Sequence, residues 1–126
     1  MNREDIKALR PIIPEITEYK DASDGEQFQT EVLRPIAKYQ NVIILKMFSA
    51  YLAKFKLTLE GKSIKDQESV IVHAMKTNKE LKSFYHGLMA SMMTAEEFDT
   101  YINNRSELNK RITALLTQRI VSQMVE

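Results

Sequence analysis

The chain has 126 residues, of which 44% are hydrophobic and 28% are charged, a composition typical of one globular domain rather than of a disordered or fibrous chain. Lysine and arginine number 18 against 17 acidic residues, and a net charge of +1 gives no overall basic field of the kind that general nucleic-acid binders carry. The absence of cysteine excludes disulfides, thiolate metal ligands and cysteine nucleophiles. We therefore expect a chain that folds by packing alone and has no nucleic-acid partner.

The N-terminal region shows no targeting signal. Five of the first ten residues are charged, which leaves no apolar segment of the length that a signal peptide needs. The longest uninterrupted apolar run, from Val42 to Leu45, is far shorter than the roughly 18 residues of a spanning helix. These features predict a soluble, cytoplasmic protein with no membrane partner.

Residues 1–22 predict a short helix followed by a proline-containing connector. The helix begins near Asn2 and ends before Pro11, because proline disfavours helical geometry in the residue ahead of it. Pro14–Tyr19 predicts a second short turn, since proline at a first helical position loses no needed donor. The stretch 20–25 predicts a loop.

The centre of the chain predicts one long helix over residues 24–60, with Pro35 inside it. Ser23 and Glu26 have the spacing of a capping box, and Gly61 can adopt the left-handed conformation that ends a helix. A proline in a helix interior removes one hydrogen bond and crowds the carbonyl four residues earlier. We therefore expect a kink or a short break between residues 33 and 36.

Three shorter helices and a C-terminal helix are predicted after the long one. The capping spacing recurs at Thr77, Thr94 and Asn104, each of which has a glutamate three residues later. Apolar residues in the last segment recur with a period of 3.6 residues. The predicted spans are 64–76, 78–92, 95–102 and 105–125. Together these patterns predict an all-α fold, in which residues 1–126 form a single-domain helical bundle around the long helix.

Apolar side chains surround the predicted long helix on more than one face. Such a helix either lies at the centre of its own bundle or shares a face with another chain. The neighbouring helices are short, and twofold dimers are the commonest soluble oligomers. We therefore expect an interaction or structural module that self-associates, with the surface for self-association formed by Val42, Ile43, Leu45, Met47, Phe48, Tyr51 and Phe55.

Polar residues beside apolar runs support an alternative, a small-molecule-binding protein or enzyme with a pocket between helices. Gln40 and Asn41 interrupt the most apolar part of the long helix, either bonded to a neighbouring helix or as the floor of a cleft. His86 follows a tyrosine and can titrate near neutral pH. The candidate ligand-binding residues are Arg34, Tyr39, Gln40, Tyr85 and His86.

The sequence lacks the motifs of metal, nucleotide and covalent catalysis. Neither His73 nor His86 has a glutamate three residues before it, so the di-iron pattern of helical bundles is missing. The three glycines lie too far apart to form a nucleotide-binding loop, and no serine has the Gly-x-Ser-x-Gly context. We expect no metal and no cofactor, and we favour binding over catalysis.

Three segments carry a resemblance to a known family. Residues 31–41 (EVLRPIAKYQN), 94–101 (TAEEFDTY) and 108–111 (LNKR) resemble a family of small helical proteins from Bacteroidetes-type bacteria that are often labelled glyoxalase. The resemblance spans about residues 28–123 and implies a helical fold, but it supplies no catalytic residue. Metal-dependent glyoxalases use histidine and glutamate ligands on a strand-rich fold, and two isolated histidines in a helical pattern do not predict that chemistry.

Overall fold

The structure, a computed structural model, describes residues 2–11 and 23–126. Within these ranges it contains helices and no strand, which confirms the predicted all-α class. None of the helices in these ranges combines the length and the apolar character that crossing a membrane requires. The turn predicted at Pro14–Tyr19 and the first part of the loop predicted at 20–25 lie outside the described residues.

The helices follow one another in the predicted order. A short 3₁₀ helix spans Arg3–Leu9, and the α-helices are α1 (Asp24–Phe28), α2 (Arg34–Tyr39), α3 (Asn41–Lys54), α4 (Ile64–Thr77), α5 (Lys79–Ala90), α6 (Ala95–Asn103) and α7 (Arg105–Met124). From α4 onward, each helix begins and ends within two residues of its predicted bounds. Capping residues and apolar periodicity are local signals, which is why they place these helices well.

Only some of the predicted side-chain caps are present in the structure. Thr94 and Glu97 form the predicted capping box at the start of α6. At α5, by contrast, Asn78 rather than Thr77 caps the helix, because the Asn78 side chain accepts a backbone N–H bond one turn ahead. The Asn104 amide donates to a carbonyl of α6 and does not cap α7.

The predicted long helix is divided into segments. Residues Gln29–Leu33 form one π-helical turn between α1 and α2, and Pro35 lies in the first turn of α2. In that position the missing N–H of proline is tolerated, and the π turn replaces the bonding pattern that the proline ring would block. Gln40 separates α2 from α3. The discontinuity therefore begins before the proline and spans a full turn.

The long segment ends at Lys54, earlier than the predicted end at residue 60. Lys56 adopts a left-handed conformation with φ of 53°, and the N–H of Leu57 donates to the carbonyl of Leu52 at 2.8 Å. This bond is typical of a Schellman termination, in which a residue with positive φ follows the helix. Here a lysine has the conformation that glycine usually adopts. Gly61, with φ of 79°, lies in the following loop instead.

One hydrophobic core unites the helices, and α7 rather than α3 contacts most of the others, namely α3, α4, α5 and α6. Fully buried side chains come from α2, α3, α4, α5 and α7 and from the residues that flank them. The largest are Leu33, Ile36, Ile44, Phe48, Ile71, Met75, Leu81, Tyr85, Met89, Met93, Leu108 and Ile112. Because α7 packs against four other helices, clefts can form in the grooves between α7 and these helices.

Two arginines fasten the N-terminal 3₁₀ helix to the junction of α5 and α6. Arg10 donates two bonds to the Glu97 carboxylate, at 2.7 and 2.9 Å, and these side chains are only 6% and 12% exposed. Arg3 donates to the backbone carbonyls of Ser91 and Met93. Burial alone would raise the pKa of Glu97, but the hydrogen bonds and charge of Arg10 lower that pKa below its ordinary value. We call this ion pair the N-terminal anchor.

Candidate functional site

Two adjoining clefts along α7 are the candidate ligand sites. The lysine cleft has a volume of about 580 Å³ and lies between α4, α5 and α7. The arginine cleft has a volume of about 450 Å³ and lies between α7 and residues of the π turn and α2. The lysine cleft is lined by Val72, Met75, Lys76, Lys82, His86, Asn109, Lys110, Thr113, Ala114, Thr117 and Gln118. The arginine cleft is lined by Gln29, Thr30, Arg34, Leu115, Gln118, Arg119 and Ser122.

Helical spacing produces the long wall of the lysine cleft. Lys110, Thr113, Ala114 and Thr117 recur three or four residues apart on α7, so that they share one face of the helix. Threonine and alanine are short, and their size leaves the groove open between α7 and its neighbours. Met75 lies fully buried at the base of the groove. The cleft therefore combines an apolar interior with a wall of small side chains.

The rim of the lysine cleft is positively charged. Lys76, Lys82 and Lys110 come from α4, α5 and α7 respectively, and none of them forms an ion pair within the part of the chain that the structure describes. The Nζ atom of Lys82 donates to the backbone carbonyl of Lys76 at 3.1 Å, which links α4 to α5 at this rim. No acidic residue is among the described residues that line the cleft. The electrostatic potential of the cleft therefore favours an anion.

His86 adds a titratable group to the lysine cleft. Its Nε2 lies 3.3 Å from the hydroxyl oxygen of Thr113. Burial lowers the pKa of His86, the charges of Lys82 and Arg105 lower it further, and a hydrogen bond with the backbone of Asn109 opposes these effects. With its pKa below the ordinary 6.5, the imidazole is neutral at pH 7. A neutral imidazole has one donor and one acceptor nitrogen, and the contacts with Thr113 and Asn109 engage both.

The arginine cleft is polar and contains two guanidinium groups. Arg34 and Arg119 form no ion pair within residues 2–11 and 23–126. The Nη2 atom of Arg119 donates to Oδ1 of Asn41 at 3.0 Å, whereas its Nε is buried and has no hydrogen-bond partner. Burial lowers the pKa of Arg119, and the nearby charge of Arg34 lowers it further. The cleft therefore holds two cations close to each other, and no described residue supplies a counterion to either.

The predicted ligand-binding residues do not share one pocket. Arg34 lines the arginine cleft and His86 lines the lysine cleft. The structure places these two residues in neighbouring clefts that meet at Gln118, rather than around one cavity.

The other predicted ligand-binding residues line neither cleft. Tyr85 is buried in the core, where its hydroxyl donates to the carbonyl of Ile44 at 2.7 Å and burial raises its pKa. Gln40 donates to the carbonyl of Leu88 at 3.5 Å, the contact with a neighbouring helix that the sequence left as one of two alternatives. Tyr39 is 48% exposed and lies outside both clefts.

The lysines and Arg119 are cleft residues that the candidate set from the sequence lacks. A signal for them exists on α7, where a helical face carries Lys110, two threonines and an alanine at one-turn spacing, a pattern of short side chains beside a cation. Lys76 and Lys82 give no such signal, because only the turn between α4 and α5 brings them together.

A third surface, which we call the α3 face, consists of Val42, Ile43, Met47 and Ala50, with Phe84 of the adjacent α5. Val42 is 62% exposed, and Ile43 and Phe84 are 43% and 40% exposed. The two helices run side by side, since Met47, Ala50 and residues of α5 line one small groove. Of the residues predicted for self-association, Val42, Ile43 and Phe55 are exposed, Leu45, Met47 and Tyr51 are partly buried against the core, and Phe48 is fully buried.

Among the residues that the structure describes, no group of three or more histidine, aspartate or glutamate side chains is placed to hold a metal ion. Comparisons with protein-family models, with curated proteins and with solved structures found no match. The resemblance of residues 31–41, 94–101 and 108–111 to a helical family therefore stays a prediction. The functional argument depends on the geometry and charge of the surfaces described above.

Proposed function

We propose that this protein binds a negatively charged amphipathic small molecule in the lysine cleft. The observation that carries the proposal is an apolar groove of about 580 Å³ with lysines from three helices at its rim and no acid among its described lining residues. Ligand pockets in proteins commonly have volumes of roughly 300–1,000 Å³ and combine apolar walls with a few polar groups. The lysine cleft has both properties.

The apolar part of such a ligand supplies most of its affinity. It displaces water from Val72 and Ala114, and burial of apolar surface contributes about 25 cal/mol for each Å². The lysines act at an exposed rim, where an ion pair contributes roughly 0.2–1 kcal/mol and is screened by salt. Charge therefore selects an anion over a neutral molecule, whereas the groove determines how tightly it is held.

Binding is favoured over catalysis because the polar groups do not form a complete catalytic set. His86 and Thr113 make a hydroxyl–imidazole contact at 3.3 Å. The backbone of Asn109 orients the imidazole, but no carboxylate that would stabilise its protonated form is among the described residues that line the cleft. The pair therefore forms part of the cleft wall, and we assign it no chemical step.

A cleft-filling substitution tests the proposal. The probe is anilinonaphthalenesulfonate, an apolar aromatic anion whose fluorescence increases on binding, with decanoate as competitor. Ala114→Phe places a ring in the groove from an exposed position, and we expect it to abolish most of the probe binding. The matched control is Ala95→Phe, at an exposed alanine of α6 outside the cleft. Equal binding by both variants would contradict the proposal.

The charge of the rim is tested separately. Replacing Lys76, Lys82 and Lys110 together by glutamine removes three positive charges from the cleft. We expect weaker binding of decanoate and a smaller dependence of that binding on salt. The control removes the same charge from exposed lysines outside the cleft, Lys38, Lys46 and Lys65. If the control weakens binding equally, general charge and not the cleft attracts the ligand.

The α3 face supports a second candidate function, and we propose that it pairs with the same face of a second copy. Val42, Ile43 and Phe84 are exposed apolar side chains on two adjacent helices, and exposed apolar patches typically mark interfaces. Ile43→Glu is expected to lower the sedimentation mass to that of a monomer. Ile102→Glu, at an α6 position with 44% exposure against 43% for Ile43, is the matched control. A monomeric mass for the unsubstituted protein at micromolar concentration would exclude this function.

A further inference from the structure

The arginine cleft holds positive charge that the described chain does not neutralise. Arg34 enters it from α2 and Arg119 from α7, and the other described lining residues are neutral. Elsewhere in the molecule, partly buried arginines have a carboxylate beside them, as Arg10 has Glu97 and Arg111 has Glu107. Two like charges in a partly desolvated cleft repel each other, and proteins commonly pair such groups with an anion.

One guanidinium of the cleft, that of Arg119, is held in a fixed position and has an N–H without a partner among the described residues. The guanidinium of Arg119 is oriented by its bond to Asn41, and the Asn41 amide is itself bonded reciprocally to the Gln123 amide at 2.7 and 2.8 Å. The Nε of Arg119 is nevertheless buried without a partner. Buried N–H groups almost always have a partner in native proteins, and the described residues supply no acceptor for this one.

We propose that the arginine cleft binds the phosphate group of a soluble phosphorylated small molecule, at a site separate from the lysine cleft. A phosphate monoester carries about −1.5 to −2 charges at pH 7 and presents three acceptor oxygens. This charge matches two guanidinium groups, and its oxygens can accept bonds from Arg34, Arg119, Thr30 and Gln118. A carboxylate has one charge and two oxygens, and it leaves one guanidinium without a counterion. A volume of about 450 Å³ also leaves room for an organic group.

Calorimetric titration of the full chain in a buffer without phosphate tests the site. The probes are inorganic phosphate, phenyl phosphate and acetate. We expect both phosphates to bind, phenyl phosphate more tightly because its ring fills the remaining volume, and acetate to produce no saturable heat. Acetate binding with the affinity of phosphate would overturn the proposal, since the site would then respond to any anion. The absence of saturable binding by either phosphate at millimolar concentration would also overturn it.

Two variants locate the binding. Arg34→Gln removes one exposed guanidinium and is expected to weaken phosphate binding about tenfold, the effect of one charge-assisted hydrogen bond. Arg105→Gln removes the same charge from an exposed position outside the cleft and is expected to have little effect. Thr30→Asp places a carboxylate in the cleft and is expected to abolish binding, whereas Thr58→Asp in an exposed loop is not. Equal losses in a variant and its control would overturn the site.

Binding in the arginine cleft and binding in the lysine cleft can be tested independently. Ala114→Phe is expected to retain phosphate binding, and Arg34→Gln is expected to retain binding of anilinonaphthalenesulfonate. If Ala114→Phe abolishes the binding of phosphate, the phosphate lies in the lysine cleft, and the assignment to the arginine cleft is wrong.

Discussion

The N-terminal anchor and the arginine cleft both contain arginine side chains, but among the described residues only the anchor pairs its arginine with a carboxylate. Arg10 is 6% exposed and is held by both oxygens of Glu97. Arg34 and Arg119 lie in an open cleft with no carboxylate among the described residues beside them. Where the chain supplies the counterion, a buried arginine fixes the position of a helix. Where the described residues supply none, the arginines are available to an external anion.

The largest expected effect comes from removing the counterion in the N-terminal anchor. Glu97→Gln leaves Arg10 partly buried without its carboxylate, which typically costs about 3 kcal/mol of unfolding free energy. Glutamine preserves the capping box with Thr94, so the loss reports the ion pair. Urea denaturation measures it. Glu107→Gln is the matched control, since Glu107 occupies the first turn of α7 and its ion pair with Arg111 is far more exposed.

We expect the control to lose less than about 1 kcal/mol, as surface ion pairs do. Equal losses in Glu97→Gln and Glu107→Gln would show that the anchor is no stronger than a surface pair.

The second prediction concerns acid pH. The folded-state pKa of Glu97 is lower than its ordinary value of 4.5, so the unfolded chain binds a proton more readily there than the folded chain does. The stability that the anchor supplies is therefore complete above pH 4.5 and is lost as the pH falls through the folded-state pKa. Urea denaturation between neutral pH and pH values below 4.5 should show a steeper loss for the unsubstituted protein than for Glu97→Gln. If both proteins lose the same unfolding free energy as the pH falls, the anchor is not the source of the pH dependence.

A smaller effect, of opposite sign, is expected in the arginine cleft. Thr30→Asp supplies the carboxylate that the described part of this cleft lacks, and it should raise the free energy of unfolding by about 0.5 kcal/mol at low salt. The gain should diminish in concentrated salt, which screens the charges. Thr58→Asp in the exposed loop should change stability less. A loss of stability in Thr30→Asp would show that the two guanidinium groups are already neutralised.

The smallest effect is expected for Arg34→Gln. Because Arg34 has no ion pair within the described residues and lies close to Arg119, its removal should leave the free energy of unfolding within about 0.5 kcal/mol of the original. Urea denaturation checks this as well. A loss comparable to that of Glu97→Gln would mean that Arg34 has a structural role, and the contrast between the two regions would disappear.

The sequence predicted those parts of the fold that depend on local signals. The helix that begins after Thr94 and the span of α7 follow from a capping pair and from apolar residues at helical spacing. The end of the long helix was placed wrongly, because Gly61 is the residue expected to adopt a left-handed conformation and Lys56 adopts it instead. The cost of that conformation in lysine is offset by termination bonds, one of them from Leu57, that close only in the folded chain.

The candidate site was less predictable than the fold. Arg34 and His86 are polar residues near apolar runs, and each lines a cleft, but they lie in separate clefts that meet at Gln118. Tyr85 has the same local pattern, but it is buried with its hydroxyl bonded to the backbone. A polar residue beside an apolar run has the same local pattern whether it closes a hydrogen bond in the core or opens onto a cleft.

The amino-acid sequence by itself determined that this chain is helical and where most of its helices begin. The tertiary structure decided which cations stand together, because Lys76, Lys82 and Lys110 come from three different helices and Arg34 meets Arg119 only where α2 packs near α7. Helix formation depends on neighbours a few residues apart, whereas a cleft depends on the distances between helices. Those distances are set by the packing of the whole core.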